Sequence, residues 1–407
     1  MKKQTIFYLL FIASFLISSC ANGQDHKSKE AHFTLNNLVE KKQIIVGAEQ
    51  PELYMEMLKN KRVGLVVNQS SLVNGIHLVD FLLQNKINVV KIFAPEHGFR
   101  GNIDRGAHVK SEIDEKTGLP IISMFGKNRR PTDDQLKEVD LLIFDIQDAG
   151  ARFFTYISSM HEVMEACASN NKSLLVLDRP NPLGDYVDGP VRQPNFKSFV
   201  GMHPIPIVHG LTVGELAKMI NGEKWLENGA QCDLTVIKIK NYEHKMHYPL
   251  PVKPSPNLPN YLSVRLYPSL CFFEATEISV GRGTEFPFQV VGYPDPSFGD
   301  SLFIPEDIKG MQQDPVQEGK ICYGIDLRGA NPDNIRFTLK YVIDFYNKFK
   351  QKDKFFSREK WFNLLAGNDK LLAQIKAGKS EREIKASWKA ELDKYQKVRK
   401  MYLLYLE

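Results

Sequence analysis

Between residues 63 and 177 the chain alternates apolar runs with polar clusters. Val63-Gly64-Leu65-Val66-Val67 is followed by Asn68-Gln69-Ser70-Ser71, and residues 89–93 by Pro95, Glu96 and His97. Residues 120–124 form a third run. Residues 141–144 lead into Asp145, Gln147 and Asp148, and residues 173–177 into Asp178-Arg179-Pro180-Asn181. Continuous rather than alternating apolar runs predict strands covered on both faces. Between them lie helical patterns. Residues 78–83 carry one apolar face, and apolar residues at 153, 157, 160, 163, 164 and 167 repeat every 3.6 positions. Thr132-Asp133-Asp134-Gln135 and Thr212-Val213-Gly214-Glu215 spell capping boxes, the second stapled by Leu211 and Leu216. Strands alternating with helices predict parallel strands joined by right-handed crossovers. The expected fold is α/β, with a Rossmann-like, doubly wound domain over residues 37–230.

The pattern then changes. Residues 234–239, 288–291 and 321–327 read as strands, the first two separated by a segment rich in proline and aromatics. Ile335, Leu339, Val342, Ile343 and Tyr346 mark a helix. Ser380-Glu381-Arg382-Glu383 caps another, with Ile384, Trp388, Leu392, Tyr395, Arg399 and Tyr402 along one face. A chain of 407 residues exceeds the usual single core. A smaller α/β domain over residues 231–407, contributing to a cleft, is therefore expected.

The first residues have their own signature. Lys2 and Lys3 precede an apolar stretch over 6–17 that is too short to span a bilayer. Ile17-Ser18-Ser19-Cys20 resembles the lipobox of bacterial lipoproteins. It implies a signal peptide over 1–20, lipidation at Cys20, a tether over 21–36, and a membrane anchor in the cell envelope, facing the periplasm or in the outer membrane. The remaining cysteines, Cys167, Cys232, Cys271 and Cys322, form no C-x-x-C pair, which excludes a zinc-ribbon or thioredoxin motif. Composition is that of an ordinary globular protein, 43% hydrophobic and 25% charged. A net charge of +5, with no basic run interleaved with aromatics, argues against nucleic acid as a partner.

In a parallel sheet all carboxyl ends share one rim, where ligands bind. That rim gathers Asn68, Gln69 and Ser70; Glu96, His97 and Arg100; Asp145, Gln147, Asp148, Arg152 and Tyr156; Asp178, Arg179 and Asn181; and His209 as a fifth end. Several familiar chemistries are missing. No G-x-G-x-x-G follows the first strand, Gly281-Arg282-Gly283 lacks a phosphate-loop setting, and there is no G-x-S-x-G elbow. His97, Asp145, Asp178 and His209 have no metal-ligand spacing, so neither metal nor cofactor is expected. A second cluster, Glu274, Glu277 and Arg282 among aromatics, suits a sugar. Pairing of Glu277 with Arg282 is the structural alternative.

Four segments carry a specific likeness: residues 94–101 (Ala-Pro-Glu-His-Gly-Phe-Arg-Gly), 145–156 (Asp-Ile-Gln-Asp-Ala-Gly-Ala-Arg-Phe-Phe-Thr-Tyr), 178–182 (Asp-Arg-Pro-Asn-Pro) and 274–284 (Glu-Ala-Thr-Glu-Ile-Ser-Val-Gly-Arg-Gly-Thr). Together, and in this order, they resemble the exo-β-N-acetylmuramidase family, NamZ. The resemblance implies a Rossmann-like domain, a smaller α/β domain and a cleft between them. It implies a glycosidase releasing terminal N-acetylmuramic acid from the non-reducing end of peptidoglycan fragments, in cell-wall turnover and recycling. Glu96 matches the family's proposed catalytic glutamate. Beside an apolar strand end and Phe99 it has the surroundings of a proton donor, with His97 to orient it. Asp145, Asp148, Glu277 or the substrate's own acetamido group remain open as the second catalytic group. Arg282, Arg152 and Arg100 are candidate clamps for the lactyl carboxylate. A glycan-binding lipoprotein without turnover and a metal-dependent hydrolase are the alternatives.

Overall fold

The computed structural model describes residues 43–96, 98–99, 112–126 and 128–407. Its strands are β1 (Val63–Val67), β2 (Leu72–Val73), β3 (Ile76–His77), β4 (Val89–Ala94), β5 (Glu112–Ile113), β6 (Pro120–Ser123), β7 (Leu141–Asp145), β8 (Ser173–Leu177), β9 (Asp233–Ile237), β10 (Val290–Tyr293), β11 (Ser301–Phe303) and β12 (Cys322–Asp326). Its helices are α1 (Met55–Leu58), α2 (Leu78–Gln84), α3 (Asp133–Leu136), α4 (Tyr156–Ser169), α5 (Val213–Gly222), α6 (Tyr261–Leu270), α7 (Lys340–Lys348), α8 (Lys352–Phe355), α9 (Glu359–Ala366), α10 (Lys370–Lys376) and α11 (Glu381–Arg399).

The central sheet runs β5-β6-β4-β1-β7-β8-β9. All neighbours are parallel except β5, which pairs antiparallel with β6 at one edge. Sequence order therefore reverses on either side of β1, the doubly wound arrangement, and the crevice lies beyond the carboxyl ends of β1, β4 and β7. Successive side chains point to opposite faces. Val63, Leu65 and Val67 pack with α2 residues Leu78, Val79 and Leu82 on one side. Val66, Leu142, Phe144 and Val176 pack with Met160, Val163, Leu216 and Ile220 of α4 and α5 on the other. Truncating the fully buried Phe144 to Ala would cost about 3–5 kcal/mol.

Three local outcomes differ from the pattern. Helix α4 starts at Tyr156 rather than Phe153. Gly150 adopts φ +79°, and a Cβ there would sit 2.1 Å from Asn181 Oδ1, so the chain makes a glycine-only turn after β7. The next residues, Phe153 to Thr155, become a wall instead of a first helical turn. His209, expected at a fifth strand end, follows no strand: residues 205–208 make only isolated bridges, Val208 with Ala151 and Asp188. Finally, β9 pairs in parallel with β8, so the main sheet reaches past residue 230.

The rest of the chain builds a three-stranded antiparallel sheet, β10-β12-β11, and helices α6 to α11. One core cluster runs unbroken from the α4–α5 face of the main sheet to Phe272, Phe337, Phe362 and Trp388. Gln43–Glu407 accordingly form one compact unit. Helix α11 begins at the Ser380–Glu383 capping box and ties back to the rim. Tyr395 donates its hydroxyl to the His209 carbonyl at 2.7 Å, and Arg399 donates to the Gly210 carbonyl.

Candidate active site

A cavity of about 370 Å³ opens beyond the ends of β4, β6 and β7. Glu96 enters it just after β4, Phe125 and Arg129 follow β6, and Phe153, Phe154, Thr155 and Tyr156 come from the turn after β7. The facing wall is drawn from distant parts of the chain: residues 198–200, Tyr267, Glu274, Arg282 and Trp361.

Glu96 is half-buried and has no ion-pair partner among the described residues. The Thr155 hydroxyl lies 3.5 Å from its Oε2, a long and weak approach. Tyr156 fixes the backbone here, its hydroxyl reaching the carbonyls of Glu96 at 3.4 Å and Pro254 at 3.2 Å. Burial, and then the Glu96 charge, push the Tyr156 hydroxyl well above the usual tyrosine range, so it stays a donor. A carboxyl without a counter-ion among the described residues, at the edge of an aromatic hollow, can trade a proton with a bound molecule.

Across the cavity, Arg282 Nη2 lies 2.5 Å from Glu274 Oε1, with the guanidinium 4.8 Å from the centre of the Phe288 ring. Gly281 and Gly283 flank the arginine at φ +74° and +81°. A Cβ on Gly283 would meet the Glu306 carbonyl at 2.5 Å. The Gly-Arg-Gly spacing thus presents a side chain from a tight turn. Glu274, Arg282 and Trp361 also border a second cavity of about 470 Å³. Glu277 lines neither. It is exposed, and its carbonyl accepts from Gln317 Nε2 at 2.7 Å. Arg282 pairs with Glu274 and not with Glu277, as the structural alternative had it, and Glu277 stands apart from the cavity that Glu96 lines.

Many other rim residues turn inward. Asp145 is fully buried and gripped by Arg179 at 2.6 and 2.9 Å, so it has no free oxygen for a cavity water. Asp178, also fully buried, accepts from the amides of Arg179 and Gly214 and the hydroxyls of Thr212 and Tyr405. It anchors the start of α5, and burial raises its carboxyl to about 7 against those donors. Asn181 braces a turn through Leu183 and Leu211. Gln147 bonds the Pro180 and Asp148 carbonyls, and its amide donates to Ser70 Oγ, which donates in turn to Asn68 Oδ1. Gln69 holds the carbonyls of Lys253 and Pro254. His209 accepts from the Leu211 amide at Nδ1 and points Nε2 at Asp148 Oδ2, 3.7 Å away. Asp148 itself caps the Gly150 amide at 2.7 Å.

Arg152 is corrected most sharply. It is fully buried, lies off the cavity, and donates to the carbonyls of Pro190, Ile205 and Leu365 at 2.7–2.8 Å. It is a brace and not a clamp. His97, Arg100 and Cys20 lie outside the described residues. Arg129 and Phe199 were not expected as cavity wall, whereas Tyr267 belongs to the aromatic segment of the second cluster. Trp361 carries a signal, since it lies off the face of α9 that buries Phe362, Leu365 and Ala366.

Residues 63–262 match the family model for the N-terminal part of exo-β-N-acetylmuramidase NamZ, and residues 265–405 match that for its C-terminal part. The chain is 38% identical over 375 residues to the peptidoglycan β-N-acetylmuramidase NamZ of Bacillus subtilis (strain 168), covering 86% of this chain and 89% of that protein. Crystal structures of two DUF1343 family proteins from Bacteroides fragilis are similar. One has a TM-score of 0.84 at 47% identity, covering 90% of this chain and 100% of its own. The other has 0.77 at 30% identity, covering 89% and 99%. With family models for both parts of exo-β-N-acetylmuramidase NamZ matching residues 63–262 and 265–405, the chain belongs to the exo-β-N-acetylmuramidase NamZ family.

Proposed function

We propose that this protein is a glycosidase that releases terminal N-acetylmuramic acid from the non-reducing end of peptidoglycan fragments, with Glu96 as the proton donor. One observation carries the reading. In a chain of this family, Glu96 is a cavity carboxyl with no counter-ion among the described residues, set just beyond a central strand. Glycosidic cleavage needs an acid to protonate the leaving oxygen and negative charge to steady an oxocarbenium-like transition state. Glu96 supplies the first. Glu274, the other carboxylate lining the cavity among the described residues, supplies the second, held in place by Arg282. Tyr267 and Trp361 offer faces for the apolar side of a sugar ring. The Glu96→Gln variant tests this on a chromogenic β-N-acetylmuramide. Turnover falls by about 10²–10⁴-fold, the range for a lost general acid, while the thermal midpoint stays put. Turnover near wild type removes Glu96 from the mechanism.

The Ile17-Ser18-Ser19-Cys20 motif supports export and anchoring in the cell envelope through a lipid on Cys20. Metabolic labelling with a fatty-acid analogue checks it: the label enters the wild-type chain and is lost from Cys20→Ser. Equal labelling of both excludes Cys20 as the anchor.

A further inference from the structure

Two guanidinium groups among the described residues line the main cavity, and they are not equivalent. Arg282 is taken by Glu274 at 2.5 Å. Arg129 makes no ion pair among the described residues, and its guanidinium carbon sits 4.0 Å from the centre of the Phe199 ring. Its neighbour Arg130 is neutralised by Glu162 at 2.7 Å and Glu227 at 2.9 Å. The two cavity arginines also mark different borders. Glu274, Arg282 and Trp361 adjoin the 470 Å³ cavity, whereas Arg129, Ser198 and Phe199 adjoin a hollow of about 260 Å³ that Lys197 also lines. Arg282 thus faces the substrate space already paired, and Arg129 faces it with no carboxylate partner among the described residues.

N-acetylmuramic acid differs from N-acetylglucosamine only by its lactyl ether, which ends in a carboxylate. A guanidinium is always charged and meets a carboxylate with two parallel N–H donors. Stacking over an aromatic face holds that fork in one orientation before the ligand arrives. We infer that Arg129, steadied by Phe199, is the residue that reads the carboxylate of the sugar and so selects muramyl over glucosaminyl substrates. This rests on the glycosidase reading above. It moves the clamp away from Arg282, which already has a carboxylate, and Arg152, which lies off the cavity.

The experiment compares kcat/KM for wild type, Arg129→Ala and Arg129→Lys on a p-nitrophenyl β-N-acetylmuramide and on the same compound with its lactyl group as the methyl ester. Arg129→Ala loses about 10–100-fold on the free acid, the worth of a charge-assisted pair. On the ester it matches wild type within about twofold, because the ester has already removed the charge that Arg129 reads. Arg129→Lys, charged but without the fork, recovers part of the loss on the acid. Equal losses on acid and ester, or no loss on either, overturn the inference and leave the glycosidase reading standing. A wild-type enzyme that turns over neither muramide overturns that reading itself.

Discussion

Arg179 holds both oxygens of Asp145, Nε at 2.6 Å from Oδ1 and Nη2 at 2.9 Å from Oδ2, and neither side chain is open to water. Arg179 also donates to the Leu72 carbonyl, so the pair ties β7 to β2. Removing one partner leaves a buried charge uncompensated, at a cost of about 3–5 kcal/mol. Asp145→Asn should therefore lower the urea midpoint steeply, with turnover falling only in step with the folded fraction. A variant with wild-type stability and no turnover would return Asp145 to the chemistry.

Asp178 gives stability a pH slope. Its folded carboxyl is raised to about 7 from an ordinary value of 3.8. Between those values the folded state holds a proton that the unfolded chain has released, so stability falls as pH rises and levels off above about 7. The change amounts to at most about 4 kcal/mol across the window. Chemical unfolding at steps from pH 4 to pH 8 should show this decline, and Asp178→Asn should flatten it. An unchanged slope in the variant would place the titration elsewhere.

The strands were legible because both faces of the sheet are covered, so each run from Val63, Leu141 and Ser173 is apolar throughout. The boxes opened by Thr132, Thr212 and Ser380 form as spelled, since capping is local. What the polar strand ends do was not legible. Asp145, Asp178, Arg179 and Asn181 carry the same residue types as a sugar site, yet here they satisfy backbone groups and each other in the rim interior. Choosing between the two uses requires knowing which way each side chain leaves its turn, and Gly150 at φ +79° sets that for residues 151–156. Part of the cavity wall was hidden for a different reason. Arg129, Phe199 and Trp361 are brought together only by packing across more than two hundred positions of chain.

Arg152 should behave as structure alone. Arg152→Met would remove the side-chain donor of the Pro190 and Leu365 carbonyls, while the Ile205 carbonyl keeps the Arg192 amide at 3.2 Å, and a buried acceptor without a donor costs about 1–3 kcal/mol. We expect the variant to lose at least about 2 kcal/mol of stability, with an unchanged preference for muramyl over glucosaminyl substrates in whatever fraction folds. A shifted preference would bring Arg152 back into carboxylate recognition.

Glu274 and Arg282 stand at the junction of two cavities, so either can act alone or only through the other. At 2.5 Å the pair fixes both side chains, and each variant releases its partner to move. Glu274→Gln and Arg282→Ala should each lower kcat, by about 10–100-fold if the fixed charge near the reacting carbon is lost in both cases. Groups that act as a unit are non-additive. The double variant should therefore fall no more than about threefold below the worse single one. Losses that multiply would assign the two side chains separate tasks, Arg282 then contacting substrate directly. KM distinguishes the two cases as well, because an arginine that binds the sugar in the ground state raises KM when removed, whereas one that only steadies Glu274 leaves it unchanged.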